Sequence, residues 1–268
     1  MTKGKKIATY TVLILASFIS VFPLYWMICA ATNKSIDVSR GRLIPGTHLI
    51  ENFKNLFAQY NVGSAMWNSF KYAIILTLIS LFICSLAGYG FEIYHDKGKD
   101  VVMNIILLAM MVPFAATLIP LYRLFSRVGL LNSAIGFVLP TLSTPFLIMM
   151  FRQSARSFPH DIIEAARMDG LSEFGIFIRM FFPTMRSTYA AAMTVTFMNA
   201  WNNYLWPKVI MTDKNCITMP MLVANLKEGY VTDYGMLMLA VFLCTIPTAV
   251  IFFLLQKSFA EGITGAVK

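Results

Sequence analysis

Long apolar runs separated by short polar stretches dominate the pattern of this chain. A helix that crosses a bilayer needs about 20 mainly apolar residues, and six stretches without Asp, Glu, Lys or Arg reach that length. They are Ile7–Asn33, Tyr72–Phe91, Val101–Tyr122, Val128–Phe151, Ser187–Pro207 and Tyr234–Gln256. The pattern therefore predicts an all-α polytopic membrane protein with six transmembrane helices, which form one transmembrane domain over residues 1–268.

Prolines interrupt the third and fourth of these stretches. Pro113 and Pro120 lie in one, and Pro140 and Pro145 lie in the other. Proline removes a helical hydrogen bond, but a membrane helix tolerates it where neighbouring helices satisfy the freed backbone groups. We expect both stretches to span the membrane, although they carry the weakest helical pattern.

The first apolar run also has features of a signal peptide, because lysines precede it and small residues follow at positions 29–31. The hydrophobic region of a signal peptide is only about 7–15 residues long, and this run is much longer. It is predicted to be an uncleaved first span. Lys3, Lys5 and Lys6 favour a cytoplasmic N-terminus, so six spans place both termini in the cytoplasm and long loops at 34–71 and 208–233 outside.

Composition agrees with the pattern, since 57% of the 268 residues are hydrophobic and only 13% are charged, against about a quarter in soluble domains. The net charge of +9 comes from Lys and Arg scattered between the apolar runs, so it does not indicate a nucleic-acid-binding surface. The four cysteines form no CxxC pair, and we interpret them as small apolar residues rather than as disulfide partners or metal ligands.

One polar stretch, HDIIEAARMDGLSEFGIFIRMFFPT at 160–184, lies between two apolar runs and carries six Asp, Glu or Arg residues. Moving all of them into lipid would cost roughly 15–20 kcal/mol on the insertion scale. The stretch is therefore expected to stay outside the bilayer core.

The same stretch is predicted to form two short helices. Pro159 suits the first position of the first helix, Glu164 and Arg167 can pair weakly, and Gly170 is a left-handed stop. Ser172 can cap the second helix. An apolar stripe is expected there at Phe174, Phe177, Ile178 and Phe181. Periodicity alone leaves open whether this stretch is a docking element or an ordinary amphipathic linker at the membrane surface.

The stretch resembles the EAA loop of ATP-binding-cassette importer permeases, with Phe182 where that family carries leucine. The matching residues are Glu164, Ala165, Ala166, Asp169, Gly170, Phe177 and Pro183. AWNNYLWP at 200–207, TMPMLVANL at 218–226 and LQKSFAEGITGAVK at 255–268 are similar to segments of the carbohydrate-uptake branch, in particular its maltose-permease-like subunits. The resemblance covers nearly the whole chain.

The resemblance implies that residues 157–183 form a coupling helix that docks on a separate cytoplasmic ATPase subunit. Glu164 would meet a basic group of that subunit, Ala165 and Ala166 would allow close packing, and Gly170 would let the chain reverse. The implied importer contains a second permease subunit, usually a different chain, and two ATPase subunits that bind ATP and Mg. An extracytoplasmic solute-binding protein would deliver the ligand.

The function implied by the resemblance is ATP-driven import of sugars or oligosaccharides across the bacterial cytoplasmic membrane. The chain has no GxxxxGK[ST] loop that could hold ATP phosphates, so we expect it to have no enzymatic activity and no cofactor of its own. Membrane lipid and the importer subunits are its expected partners, and nucleic acid is not.

Polar residues inside a span are candidates for a solute path. In the fifth span these are Asn199, Asn202 and Asn203, beside the aromatic residues Trp201 and Tyr204 and beyond the threonines Thr194 and Thr196. Asparagines also join helices by hydrogen bonds, and aromatic residues anchor helices at the membrane surface, so structural roles stay open.

The last outer loop resembles the loop that reaches the binding protein in relatives, and a solvated connector is the alternative. Its candidate contact residues are Asp213, Thr218, Pro220, Lys227 and Tyr230.

Two other functional classes fit less well. A secondary transporter or channel for a small polar solute usually buries ionisable residues near the membrane midplane, whereas every charge here lies at or beyond the end of a predicted span. A membrane enzyme would need clustered catalytic groups, but His48, His95 and His160 are far apart and no HExxH motif is present.

Overall fold

The computed structural model describes the backbone of residues 3–228 and 232–265, and the side chains of residues 4–228 and 232–256. The first half of the chain forms α1 (Lys3–Ala31), α2 (Ser35–Ser39), α3 (Leu49–Gln59), α4 (Val62–Ile93), α5 (Lys97–Ala109), α6 (Phe114–Arg127) and α7 (Ala134–Val138). The second half forms a 3-10 turn (Leu139–Thr141), α8 (Pro145–Ala155), α9 (His160–Met168), α10 (Glu173–Ile176), a π-helical turn (Phe177–Phe181), α11 (Phe182–Thr184), α12 (Arg186–Trp201), α13 (Leu205–Ile210), α14 (Met219–Lys227) and α15 (Tyr234–Gly265). The described residues contain no strand, and the predicted all-α architecture is confirmed.

Three helices within the described residues are long and apolar enough to cross a membrane: Gly4–Ala31, Val62–Ile93 and Tyr234–Gln256. The two stretches that contain the interrupting prolines are bent helix pairs. Lys97–Ala109 and Phe114–Arg127 meet at 95°, and Ala134–Thr141 and Pro145–Ala155 meet at 56°. The structure thus offers three to five candidate spans, depending on whether each bent pair counts as one.

The fifth predicted span is shorter than expected, because α12 has 16 residues where about 20 are needed to cross a bilayer. The chain continues after Trp201 through a turn at 202–204 into α13. The sequence pattern overestimated the length of this helix, because the apolar and aromatic residues of 200–207 continue past the point where the helix ends.

The described residues fall into two compact units. Unit 1 comprises 1–66 and 219–247. Inside it the buried side chain of Asn52 donates to the carbonyl of Ala31 at 2.9 Å and to that of Asn33 at 3.0 Å, so α3 is held against the end of α1. The start of α15 joins them, because a Cβ at Gly235 would lie only 2.5 Å from the Asn33 carbonyl oxygen.

Unit 2 comprises 67–218 and 248–268. Its core lies where α4, α8, α12 and the polar stretch 157–183 meet. Fully buried members of this core include Cys84, Phe151, Ile176, Phe181 and Ala192. The apolar residues of the polar stretch therefore continue the core of the helices around it, and this packing holds the stretch to the rest of the unit.

Candidate functional site

The first part of the site is an elbow of two short helices, residues 157–183, that reverses at Gly170. Gly170 has a φ of +78°. The N–H of Leu171 donates to the carbonyl of Ala166, and the N–H of Gly170 donates to that of Arg167, both at 3.0 Å. This is the Schellman arrangement that ends a helix. A Cβ at Gly170 would meet nothing within 4 Å, so the left-handed backbone, and not a lack of space, favours glycine here.

The two arms of the elbow begin close to the predicted positions. Pro159 lies immediately before α9, at its cap rather than at its first helical residue. The hydroxyl of Ser172 accepts a hydrogen bond from the N–H of Gly175 at 3.2 Å, and the predicted cap of the second arm is thus present.

The predicted apolar stripe of the second arm is partly wrong. Phe177 and Phe181 are buried, but Phe174 and Ile178 are exposed and Ile176 is buried instead. A π-helical turn follows α10, and because its hydrogen bonds join residues five apart, Ile176 and Phe181 come to lie on the same buried face.

The outward face of α9 carries Asp161, Glu164, Ala165 and Met168. These residues lie at i, i+3, i+4 and i+7 and therefore share one side of the helix. Met168 is 88% exposed, whereas Ala166 is buried against the core of unit 2. Ala166 therefore packs within the chain, and Ala165 is the alanine that lies on the outward face of α9.

A charged pair joins the two arms of the elbow across the turn. Arg167 Nε lies 2.8 Å from Glu173 Oε1, and Arg167 Nη2 lies 3.3 Å from Glu173 Oε2. The hydroxyl of Tyr94 donates to the same carboxylate. The guanidinium of Arg167, and next the hydroxyl of Tyr94, hold the pKa of Glu173 below its usual value. The predicted pairing of Arg167 with Glu164 is wrong, because Glu173 takes this position.

The remaining predicted residues of the elbow divide between surface and core. Asp169, Gly170 and Pro183 are exposed, and Pro183 lies in the short α11 that leads into α12. Phe177 is buried, with its ring centroid 5.4 Å from that of Tyr89 in α4. Phe177 is thus a core residue that supports the elbow rather than part of its outer face.

The second part of the site is a cavity of about 350 Å³, a size within the usual range for small-molecule sites. Its lining comes from α4, α8, α12 and the bend before α8. The residues are Leu76, Thr141, Thr144, Phe146, Leu147, Val195, Thr196, Asn199, Ala200 and Asn203. The structure therefore brings Asn199 and Thr196, on one face of α12, together with Asn203 from the turn that follows this helix.

Two hydroxyls of this cavity are buried without a hydrogen-bond partner, those of Thr141 and Thr196. An unsatisfied buried polar group costs about 1–3 kcal/mol, so these oxygens are suited to a polar ligand. The lining contains no Lys, Arg, His, Asp or Glu. Elsewhere in the described residues, no group of three His, Cys, Asp or Glu is placed to hold a metal ion.

Sequence reasoning missed Thr141 and Thr144. Both lie at the bend between α7 and α8, beside Pro140 and Pro145. A bend in a membrane helix frees backbone groups and is often found where the helix lines a cavity. Polar residues next to paired prolines within an apolar run were therefore the signal that could have identified them.

Three predicted pathway residues do not line the cavity. Asn202 is exposed and Tyr204 is half-buried. Trp201 is buried, with its ring 4.8 Å from that of Phe70 and 5.8 Å from that of Phe197. Trp201 therefore packs inside unit 2 and does not anchor the helix at a membrane surface.

The loop that follows α13 is held in place by two asparagine side chains. Asn132 Oδ1 accepts from the backbone N–H of Asp213 at 2.9 Å. Asn68 donates to the carbonyls of Asn215 at 2.7 Å and Ile217 at 3.1 Å. A loop fixed in this way presents Asp213, which is exposed, in a defined position.

The other predicted contact residues of this loop lie in different places. Thr218 is buried at the end of the loop in unit 2. Pro220 and Lys227 belong to α14 of unit 1, where Pro220 is half-buried and Lys227 is exposed. Tyr230 lies outside the described residues.

Residues 82–265 match the family described as binding-protein-dependent transport system inner membrane component. The match covers more than half of the chain and includes the whole elbow and all of α12. The chain belongs to this family. It is a multi-pass membrane protein, and the family predicted from the EAA-like residues is confirmed.

Relatives of known name match the chain over almost its full length. The lactose transport system permease protein LacG of Rhizobium radiobacter is 43% identical, over 98% of this chain and 96% of that protein. The arabinooligosaccharides transport system permease protein AraQ of Bacillus subtilis (strain 168) is 32% identical, over 98% of this chain and 96% of that protein.

The fold also occurs in the crystal structure of a bacterial ABC transporter involved in the import of the acidic polysaccharide alginate. One chain of that structure matches with a TM-score of 0.84 and 19% identity, over 97% of this chain and 99% of that one. At this identity the likeness establishes the fold, which is that of an ABC importer permease.

Proposed function

We propose that this chain is a transmembrane permease subunit of an ATP-driven importer for neutral sugars or oligosaccharides. The observation that carries the proposal is the construction of the elbow. Its outward face presents Glu164, Ala165 and Met168, while its inward face continues the core of unit 2. A short rigid element with a polar outer face and a buried inner face can transmit the force of a docked partner to the helices behind it.

The cavity supports the solute class. Asn199, Asn203, Thr141 and Thr196 supply amide and hydroxyl groups, and Phe146 adds an aromatic face. Uncharged hydrogen-bonding groups with an aromatic neighbour suit a hydroxyl-rich neutral solute, whereas an anionic solute would require a cationic side chain that this lining lacks. The sugar permease names of LacG and AraQ agree with this class.

The partners of the chain follow from the same proposal. The elbow faces the cytoplasm and docks on one of two ATPase subunits, which bind ATP and Mg, and both termini lie on that side. A second permease subunit completes the solute path. An extracytoplasmic binding protein contacts the loop around Asp213, and the fixed geometry that Asn132 and Asn68 give this loop supports such a contact.

Reversal of one charge on the elbow tests the proposal. Glu164→Lys should reduce ATP-driven solute uptake about tenfold or more in reconstituted vesicles, because a reversed charge at the centre of a docking face costs several kcal/mol. The ATPase subunit should no longer co-purify with the permease. Glu51→Lys is the matched control, since Glu51 is an exposed glutamate of α3 and its reversal should leave uptake and co-purification unchanged.

Two results would contradict the proposal. One is full uptake and normal ATPase assembly in the Glu164→Lys complex. The other is uptake by the wild-type protein that follows a proton or sodium gradient and needs no ATPase subunit, because this would place the chain among secondary transporters.

A further inference from the structure

The C-terminal end of α4 lies near the elbow but is not connected to it directly by the chain, so only non-covalent contacts hold the two together. The chain connects the elbow directly to α8 on one side and, through α11, to α12 on the other. The last residue of α4 is Ile93, more than sixty positions before the elbow. Any movement of the elbow that reaches α4 must therefore pass through side-chain and backbone contacts between them.

The first contact is a close crossing of α4 and α8. A Cβ at Gly88 would lie 2.6 Å from the Cβ of Phe151 and 2.7 Å from the backbone nitrogen of Arg152. Such distances leave no room for a side chain, so the two helices touch backbone to backbone at this point.

The second contact is a charge cluster around the buried side chain of Arg152, one turn further along α4. Arg152 Nε lies 3.1 Å from Glu92 Oε2 at the end of α4, and Arg152 Nη2 lies 2.6 Å from Asp100 Oδ1 in α5. The side chain of Arg152 is only 6% exposed. Arg156 adds a second contact with Glu92 at 3.4 Å. The end of α4 is therefore fixed to the part of α8 that leads into the elbow.

The third contact joins the end of α4 to the elbow itself. Tyr94, the first residue after α4, donates its hydroxyl hydrogen to Glu173, which also pairs with Arg167. Beneath this contact, the ring of Tyr89 lies edge-on to Phe177 and Phe181, with centroids 5.4 Å and 4.9 Å away. Both arms of the elbow are thus linked to α4 through one carboxylate.

The fourth observation concerns α4 beyond these contacts. Its 32 residues contain no proline, in contrast to the two helix pairs bent by 95° and 56°. Leu76 of α4 lines the cavity, and at 1.5 Å per residue it lies about 24 Å along the helix from Glu92. A continuous helix over this distance can move its two ends together.

We propose that Gly88, Glu92 and Tyr94 form an α4 attachment, through which movement of the elbow reaches the wall of the cavity. Tyr94 and Glu92 are positioning residues of this attachment, and neither touches the solute. The inference rests on the proposed function, in which the elbow receives movement from an ATPase subunit. A physical element with contacts at both sites is the kind of link that such coupling requires.

Single-residue variants test the attachment in the importer reconstituted with its ATPase and binding-protein partners. Tyr94→Phe removes one hydroxyl, and Glu173→Gln weakens the same contact while keeping its size. Each should lower the amount of solute imported per ATP hydrolysed by roughly threefold or more. Both groups lie at an exposed surface, where a single pair adds little to stability, so the complex should still assemble.

Asp96→Asn is the matched control for these variants. Asp96 lies in the same connection between α4 and α5, and its carboxylate accepts a hydrogen bond from the N–H of Lys99 in the first turn of α5. Its replacement should leave the ratio of imported solute to hydrolysed ATP unchanged. An unchanged ratio in both Tyr94→Phe and Glu173→Gln would overturn the attachment, as would an equal loss in Asp96→Asn.

Chemical rescue separates positioning from a general structural role. The double variant Tyr94→Cys with Glu173→Cys should lose coupling, and a bifunctional methanethiosulfonate crosslinker that joins the two thiols should restore it. The single variants Tyr94→Cys and Glu173→Cys, treated with the same crosslinker, control for reaction with the four native cysteines. Failure of the crosslink to restore coupling would show that the two residues need not move together.

The outcomes also separate this inference from the proposed function. If Glu164→Lys abolishes ATP-driven uptake while the Tyr94 and Glu173 variants remain fully coupled, the attachment is wrong and the proposed function stands. If the wild-type complex shows no ATP-driven uptake, both are wrong.

Discussion

The elbow and the cavity use polar side chains in opposite ways, although both belong to unit 2. Charged groups are paired within the elbow, where Arg167 contacts Glu173, and beside it, where Arg152 contacts Glu92 and Asp100. At the cavity, the hydroxyls of Thr141 and Thr196 are buried without a partner. The first arrangement stabilises one conformation, whereas the second leaves hydrogen-bonding capacity for a molecule that comes and goes.

This difference indicates how a membrane protein separates mechanical and binding roles. Groups that transmit movement must stay together during the transport cycle, so their polar atoms are satisfied within the chain. Groups that bind a transient solute must be free to exchange partners, so their polar atoms stay unsatisfied at some cost in stability. Removing a paired charge beside the elbow should therefore lower stability, whereas removing an unpaired hydroxyl from the cavity should weaken solute uptake without lowering stability.

The largest expected effect on stability lies in the charge cluster beside the elbow. Arg152→Met should lower the free energy of unfolding by about 1.5–3 kcal/mol, because it removes charge-assisted hydrogen bonds that the buried guanidinium makes to Glu92 and Asp100. Arg156→Met is the control, since Arg156 is 51% exposed and its loss should cost about 0–1 kcal/mol. Denaturant titration in mixed micelles measures both. A similar loss of unfolding free energy in the two variants would show that the burial of Arg152 does not make its ion pairs more stabilising than that of Arg156.

The turn of the elbow should give the next largest effect. Gly170→Val places a β-branched residue at a φ of +78°, which costs about 1–2 kcal/mol, and the strain should open the turn. Gly170→Asn is the control, because asparagine tolerates the left-handed conformation. Hydrogen exchange at Leu171, whose N–H closes the turn, should accelerate in the valine variant only. Equal protection in both variants would contradict the role given to the backbone.

The turn at Gly170 also shows what the sequence alone can predict. Gly170 and Ser172 were identified correctly because helix stops and caps depend on residues within a few positions of one another. The membrane character of the chain was equally predictable from its long apolar runs. In each case the energy that decides the structure arises within one local segment.

Features that depend on distant parts of the chain were not predictable in this way. The carboxylate of Glu173, which pairs with Arg167, also accepts a hydrogen bond from Tyr94, which lies far away in sequence. The burial of Ala166 depends on the core that α4 and α8 provide. Asn199 and Asn203 could be nominated from sequence, but their cavity also needs Thr141 from another helix. Tertiary packing decides these points, and no local pattern reports it.

A smaller effect should separate Thr196 from Thr194, two residues earlier in α12. Thr196→Val removes an unpartnered buried hydroxyl, so stability should stay constant or rise by up to about 1 kcal/mol. The half-saturation concentration for solute uptake should rise about fivefold, the equivalent of one lost hydrogen bond. Thr194→Val is the control, because the Thr194 hydroxyl already donates to the carbonyl of Ala190 at 2.9 Å. It should lose a little stability and keep the wild-type uptake curve.

The two threonine variants could also give the reverse result. A loss of stability in Thr196→Val with unchanged uptake would mean that its hydroxyl has a structural role, and the contrast between cavity and elbow would fail at that residue.

The smallest effect concerns the pH dependence of the elbow. Arg167 and Tyr94 hold the pKa of Glu173 below the ordinary glutamate value of 4.5. A carboxylate with a lowered pKa in the folded state contributes stability that is fully present above the ordinary value and is lost as the pH falls through the lowered one. The difference in thermal midpoint between wild type and Glu173→Gln should therefore stay constant near neutral pH and shrink below the ordinary value. If the difference does not shrink as the pH falls below the ordinary glutamate value, or if it first closes at alkaline pH, the carboxylate of Glu173 is not the group that joins the two arms of the elbow to Tyr94.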